Sequence, residues 1–325
     1  MKNAWRHVLS TALTALALSV VAAPAQSAYP DKPVRLIVPY PPGGPTDILG
    51  RMAAQYMTEK TGQTFIVENR AGASGMIGAE TVARASADGY TLLVNASIHV
   101  IYPSLYKQVP IDPIKDFTPI SQIALVPLVL VMSPKQPVQS VAMLVEAAKA
   151  SPGRFRFASS GNGAAPHLAG EAFDLLADVK MQHIPYKGSA PALTDLIGGH
   201  VDLMFDSLPS SMPHIKNGSL KALAVTTGKR IPSLPDVPTV AEGGVKGYEI
   251  TTWYGIWGPK GLPADLASQV SKMMAEMVKD PKYRERLDTL GAEPVGSTPD
   301  AFAKFQVDEE RKFGDIVRQS GAKLD

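Results

Sequence analysis

Short runs of aliphatic and β-branched residues alternate along this chain with longer segments whose apolar positions recur every three to four residues. That alternation predicts strands and helices in turn, hence parallel strands joined by crossover helices. Val34 to Val38, bounded by prolines, reads as a buried parallel strand. Pro41-Pro-Gly-Gly-Pro45 continues neither kind of element, so the chain must turn there. Thr46 and Asp47 are the expected N-cap residues of a helix that buries Ile48, Leu49, Met52, Ala53 and Tyr56. The free N–H groups of such a turn and helix start, with the positive end of the helix dipole, suit a carboxylate without any arginine. The same residues also suit an ordinary βα turn.

The pattern continues. Phe65 to Val67 and Tyr90 to Val94 read as strands, Ala71 to Gly75 as a second Gly-rich turn, and Ile77 to Arg84 as a helix. Ile120 to Met132 is a long continuous apolar run, able to carry the chain from one domain into another. Beyond it come helix Val141 to Ala150, strand Arg154 to Ala158, helix His167 to Leu176 and strand Met181 to Tyr186. Helix Ala190 to Ile197 and strands Val201 to Phe205 and Leu220 to Thr226 follow. Trp253 to Trp257 reads as a returning strand, and the tail as helices at Ala264 to Val278, Pro281 to Leu290 and Asp300 to Gln319.

Two α/β domains joined by two crossovers enclose a cleft, and ligands in such sheets sit beyond the carboxyl ends of strands. Four turns fall at those ends: Tyr40 to Asp47, Ala71 to Gly75, Asn95 to His99, and Ser159-Ser-Gly-Asn-Gly-Ala-Ala165. Facing helix N-termini would suit a ligand with two carboxylates. Asp206, at the end of the strand Val201 to Phe205, is a further cleft candidate or else a cap for the helix at Pro209.

The first residues change the picture of where this happens. Lys2 and Arg6 precede an apolar stretch from Val8 to Ala23 and the small-residue run Ala23-Pro-Ala-Gln-Ser-Ala28. That order predicts a secretory signal peptide over residues 1–28, and hence a soluble periplasmic protein. No later segment offers the ~20 unbroken apolar residues of a membrane span. There are no cysteines, so no lipidation box, disulfide framework or thiol chemistry is expected. Without Lys2 and Arg6, the 32 basic residues become 32 − 2 = 30, against 30 acidic ones. A formally neutral chain with no charged tail points away from nucleic acid and membrane lipid.

Catalytic chemistry has little support. Ser160 lies in Ser-Ser-Gly-Asn-Gly rather than Gly-x-Ser-x-Gly, which leaves a secreted hydrolase without its nucleophile elbow. His99, His167, His183, His200 and His214 have no metal-ligand spacing, and His167 is expected to cap or pack at its helix start. Gly43-Gly44 matches neither a P-loop nor a dinucleotide fingerprint. Neither cofactor nor metal is expected.

Seven ordered motifs carry a resemblance: Pro39-Tyr-Pro-Pro-Gly-Gly-Pro-Thr-Asp47, Val67-Glu-Asn-Arg-Ala-Gly-Ala-Ser-Gly75, Ala87-Asp-Gly-Tyr90, Pro185-Tyr-Lys-Gly188, Ala192-Leu-Thr-Asp-Leu-Ile-Gly-Gly199, Leu223-Ala-Val-Thr226 and Leu234-Pro-Asp-Val-Pro-Thr-Val-Ala-Glu242. Together they resemble the periplasmic substrate-binding component of tripartite tricarboxylate transporters, the Bug family. The resemblance implies a type II periplasmic binding protein: two α/β lobes around a ligand cleft, joined by two crossover strands and closing by hinge motion. The implied lobes are residues 29–126 plus 251–325, and 127–250.

It also implies a small carboxylate ligand, a dicarboxylate whether aliphatic or aromatic, with one carboxylate captured through main-chain groups and ordered waters, integral membrane transporter subunits as partners and a monomeric receptor. A receptor presenting the same ligand to a sensor kinase would use the same lobes. Carried over by position, the first-lobe site uses Tyr40, Gly43, Gly44, Thr46 and Asp47, and the second-lobe turn uses Ser160, Asn162, Gly163 and Ala164. Ser97 falls on a variable first-lobe wall, and Asp206 where the family often has an acid. Asn95-Ala-Ser-Ile-His99 departs from the commoner threonine-rich versions, and Trp253 with Tyr254 makes the second crossover aromatic.

Overall fold

β-Branched and aliphatic runs become strands here wherever both faces find cover. The structure, a computed structural model, describes residues 29–321, so the predicted leader over residues 1–28 lies outside the described residues. The first elements are β1 (Val34–Val38), α1 (Pro45–Thr61), β2 (Phe65–Asn69), α2 (Met76–Ala83), β3 (Thr91–Ala96) and α3 (Ile98–Leu105). Then come β4 (Phe117–Met132), α4 (Val141–Ala150), β5 (Arg156–Ser159), α5 (Ala165–Ala177), β6 (Gln182–Pro185) and α6 (Ser189–Gly198). After β7 (Leu203–Ser207), α7 (Leu208–Lys216), β8 (Lys221–Val225) and β9 (Thr251–Pro259), the chain ends in α8 (Ala264–Met277), α9 (Pro281–Thr289), β10 (Glu293–Pro294) and α10 (Pro299–Ser320).

The strands run in the order β2-β1-β3-β9-β4-β7-β5-β6, with β8 and β10 also pairing to β4. β1 is parallel to both β2 and β3, and β5 is parallel to both β6 and β7, as the alternating pattern requires. β9 returns antiparallel between β3 and β4. The long strand β4 changes partners along its length: Phe117 to Pro127 face β9, whereas Leu128 to Met132 face β7. It is therefore one element of two half-sheets. Its apolar continuity follows, since almost every residue from Ile120 onward is buried.

Each half has its own core, and Ala164 and Leu168 from the second half pack into that of the first. Around β4, β5 and β7 the core includes Leu130, Phe157, Phe173, Phe205 and Tyr248. Around β1, β3 and β9 it includes Ile37, Leu93, Trp253, Trp257, Phe302 and Phe313. Two sequence expectations need correction. The turn expected over Asn95 to His99 shrinks to Ser97, because β3 runs to Ala96 and α3 begins at Ile98. Thr46 and Asp47 are not N-caps: α1 begins at Pro45 with Gly44 at the cap, since proline fits a first helical turn that needs no N–H.

Candidate functional site

The loops after β1, β3, β5, β6 and β7 each lead straight into a helix, so five helix N-termini gather at the carboxyl ends of these strands. A cavity lies there. Gly44, Pro45 and Thr46 of α1 line it, as do Ala96 and Ile98 at the start of α3 and Ala164, Ala165 and Pro166 at the start of α5. Gly188 and Ser189 of α6 and Ser207 at the start of α7 complete the helix ends; Tyr40, Ser160, Thr252 and Tyr254 fill the gaps. No lining residue is basic.

The caps of these five helices, Gly44, Ser97, Ala164, Gly188 and Ser207, make no side-chain cap hydrogen bond. Away from the cavity, α4, α9 and α10 are capped by the side chains of Ser140, Asp280 and Thr298. Pro45, Pro166 and Pro209 have no N–H to offer, and those of His167 and Val100 bond the Ala164 and Ser97 carbonyls at 2.9 and 3.2 Å. Each uncapped N-terminus carries about half a positive charge and the N–H donors that remain free. Five of them around one cavity make it electropositive without a cation.

The predicted site residues divide into a wall and its support. Tyr40, Gly44, Thr46, Ser160 and Ala164 line this cavity. Tyr40, Ser160 and Asn162 line an adjoining one, with Ser74, Tyr186 and Lys187. Gly43, Asp47, Ser97, Gly163 and Asp206 line neither.

Their hydrogen bonds say what they do instead. The Asp47 carboxylate accepts from Gly43 N–H at 3.0 Å, Arg51 Nε at 2.9 Å and Asn69 Nδ2 at 2.9 Å, tying the first turn to α1 and β2. Burial alone would raise its pKa, but the bonds from Arg51, Gly43 and Asn69 outweigh that and lower it. Gly43 sits at φ +85°, where a side chain is strained. Ser97 Oγ is 3.0 Å from Thr252 Oγ1, so Ser97 holds a cavity residue without reaching the cavity itself.

In the turn after β5, Gly163 N–H, which precedes the helix, donates to His167 Nδ1 at 3.0 Å, so that histidine braces the turn rather than capping α5. The His167 ring stacks on His183 with centroids 3.9 Å apart. His183 Nε2 in turn lies 2.6 Å from Ser159 Oγ. Burial, with the neighbouring His167, holds the His183 pKa down to about 3. The buried carboxyl of Asp206 accepts from Ser189 Oγ at 2.6 Å and Ser211 Oγ at 2.7 Å, and from Ser210 Oγ. Burial pushes its pKa up against these bonds.

Sequence reasoning passed over Ser189, Ser207 and Thr252; the small polar residue at a strand-to-helix junction is the signal that marks all but Thr252. The aromatic crossover splits by the period of two. Tyr254 faces the cavity, while Trp253 is fully buried and donates from Nε1 to Glu309 at 2.9 Å on α10. Ser74, at φ +54°, is held by hydroxyl donors from Tyr40 and Tyr102 to its carbonyl and by Tyr106 on its Oγ.

A sequence profile described as "Tripartite tricarboxylate transporter family receptor" matches residues 49–322. The chain belongs to this family. Its members are solute-binding receptors of the periplasm rather than enzymes. The chain is 38% identical to the protein BugT of Bordetella pertussis over 312 residues, 95% of this chain and 96% of the relative. Among solved structures, R. palustris Rpa4515 with adipate superposes with a TM-score of 0.88 at 37% identity, covering 90% of this chain and 98% of that one. MatC from Rhodopseudomonas palustris with bound malate gives 0.84 at 29% identity, covering 89% and 100%. The fold of this family receptor is accordingly that of the periplasmic binding proteins. Among the described residues of the receptor there is no cluster of metal-ligating side chains and no helix long and apolar enough to cross a membrane.

Proposed function

We propose that this receptor captures a small dicarboxylate through main-chain N–H groups at helix N-termini and delivers it to a tripartite tricarboxylate-type membrane transporter. The observation that carries the reading is the convergence of five uncapped helix starts on one cavity with no basic lining residue. A helix start contributes about 0.3–1 kcal/mol to a nearby anion, and up to ~2 when partly buried. Several together offset much of the desolvation of a carboxylate.

Two carboxylates are favoured because the helix starts come from both half-sheets. α1 and α3 follow β1 and β3, whereas α5, α6 and α7 follow β5, β6 and β7. We take residues 29–126 with 251–325 as one lobe and 127–250 as the other, since β4 changes partners between Pro127 and Leu128. The adipate and malate held by the two relatives are dicarboxylates and support the same class. Export by a signal peptide over residues 1–28 would bring the receptor to the periplasm, where it acts as a monomer with the whole cavity wall on one chain.

Isothermal titration with four- to six-carbon dicarboxylates and with the corresponding diamides tests the reading. The account expects saturable binding of at least one dicarboxylate and none of its diamide. Equal binding of the two, or no dicarboxylate binding at all, would overturn it.

A further inference from the structure

Ser189 has one hydroxyl proton, and the geometry directs it away from the cavity. It is the first residue of α6, it lines the cavity, and it is almost wholly buried. Its Oγ lies 2.6 Å from Oδ1 of Asp206. Asp206 is itself fully buried, and its other oxygen is occupied by Ser210 and Ser211. Among the described residues no basic side chain pairs with Asp206 in an ion pair. With the carboxylate accepting from Ser189, the Ser189 Oγ presents only lone pairs to the cavity.

Its surroundings are of the opposite kind. In the pair Ser207 Oγ–Tyr254 OH, at 2.8 Å, one hydroxyl donates to the other, and Thr252 adjoins Tyr254. The helix starts supply N–H donors. Ser189 is therefore an acceptor in the same turn as the N–H donors that begin α6. A ligand that used both would carry its anion and its own donor on neighbouring atoms.

We propose that Ser189, oriented by Asp206, selects carboxylates bearing a hydroxyl or ammonium group beside a carboxylate over unsubstituted dicarboxylates. The proposal rests on the carboxylate reading above and sharpens it. An unsubstituted methylene facing Ser189 leaves the lone pairs of that buried oxygen without a donor and gains nothing from the Asp206 carboxyl behind it. An ammonium would gain from both, a hydroxyl from the oxygen alone. Asp206 is here a positioning residue, acting through Ser189.

The test compares affinities of the intact mature protein for two matched sets. One is succinate, malate and aspartate; the other is adipate, 2-hydroxyadipate and 2-aminoadipate. The proposal expects at least one substituted acid to bind about tenfold tighter than its unsubstituted parent, the worth of one well-made hydrogen bond. The hydroxyl and ammonium members separate the two donors.

Ser189→Ala should bring the ratio of substituted to unsubstituted affinities to about one, and Ser189→Thr, which keeps the hydroxyl, should preserve it. Asp206→Asn, whose amide can donate to Ser189 and free its proton, should also shrink the ratio. Equal affinities within both sets in the unmodified protein would overturn the selection while leaving the carboxylate reading intact. A ratio that survives Ser189→Ala would do the same. Absence of binding across both sets would overturn both.

Discussion

Gly43 and Gly44 are adjacent and need glycine for different reasons. Gly43 holds φ +85° and gives its N–H to Asp47, so a side chain there strains the turn. Gly44 has extended backbone that any residue adopts, but it lines the cavity. Gly44→Val should therefore abolish dicarboxylate binding at nearly unchanged melting temperature, whereas Gly43→Ala should cost about 1–2 kcal/mol of stability. Thermal unfolding with and without ligand separates the two; a Gly44→Val protein that still shows the full ligand-induced shift would remove Gly44 from the site. Of these roles, the sequence shows a Gly-rich turn and no more. That Asp47 points back to hold Gly43 depends on Asn69 and Arg51 meeting it across β2 and α1, a contact that spacing along the chain does not reveal.

At the scale of elements, most strands and helices are legible because period and length agree. β1 has the expected bounds, and the last three helices shift by at most a residue or so at their ends. α3 is missed because His99-Val-Ile-Tyr-Pro103 is apolar on every face and contains a proline, so no amphipathic period marks it. The convergence of helix starts is only partly legible. Gly44 and Ala164 stand in recognisable Gly-rich turns, but Gly188 and Ser207 become cavity residues only through the order of β5, β6 and β7 in the sheet.

The uncapped starts make a sharp prediction. Ala164 already has the extended conformation of an N-cap. Ala164→Asp should cap α5 with its own carboxylate, raising the stability of the ligand-free protein by about 0.5–1 kcal/mol. The same carboxylate would occupy the anion site, so the ligand-induced rise in melting temperature should vanish. A variant that is stabilised and still binds would show that the α5 start holds no ligand carboxylate.

Across the whole molecule, contacts at the cavity rim describe a closed cleft. An added Cβ on Gly163 would lie 1.9 Å from Leu105 Cδ1, and one on Gly188 would lie 3.1 Å from Pro41 Cδ. In the proposed division each contact joins one lobe to the other, and β4 and β9 are the crossings about which they would separate. Small-angle scattering should show a smaller radius of gyration with a bound dicarboxylate than without. Gly163→Ala should hold the lobes apart and weaken binding at least tenfold, and Leu105→Ala on the same chain should restore part of the loss. Identical scattering profiles at saturation would mean a cleft that does not close on its ligand.

The central claim is that backbone N–H groups, rather than charged side chains, hold the carboxylates. Backbone amide chemical shifts of the labelled receptor, followed through titration with a dicarboxylate that binds, test it most directly. The account predicts the largest changes at the starts of α1, α5, α6 and α7, from Thr46, Ala165, Ser189 and Ser210 and their neighbours, with saturation at one equivalent. Changes centred on Lys187 or another basic side chain, with those helix starts silent, would contradict it.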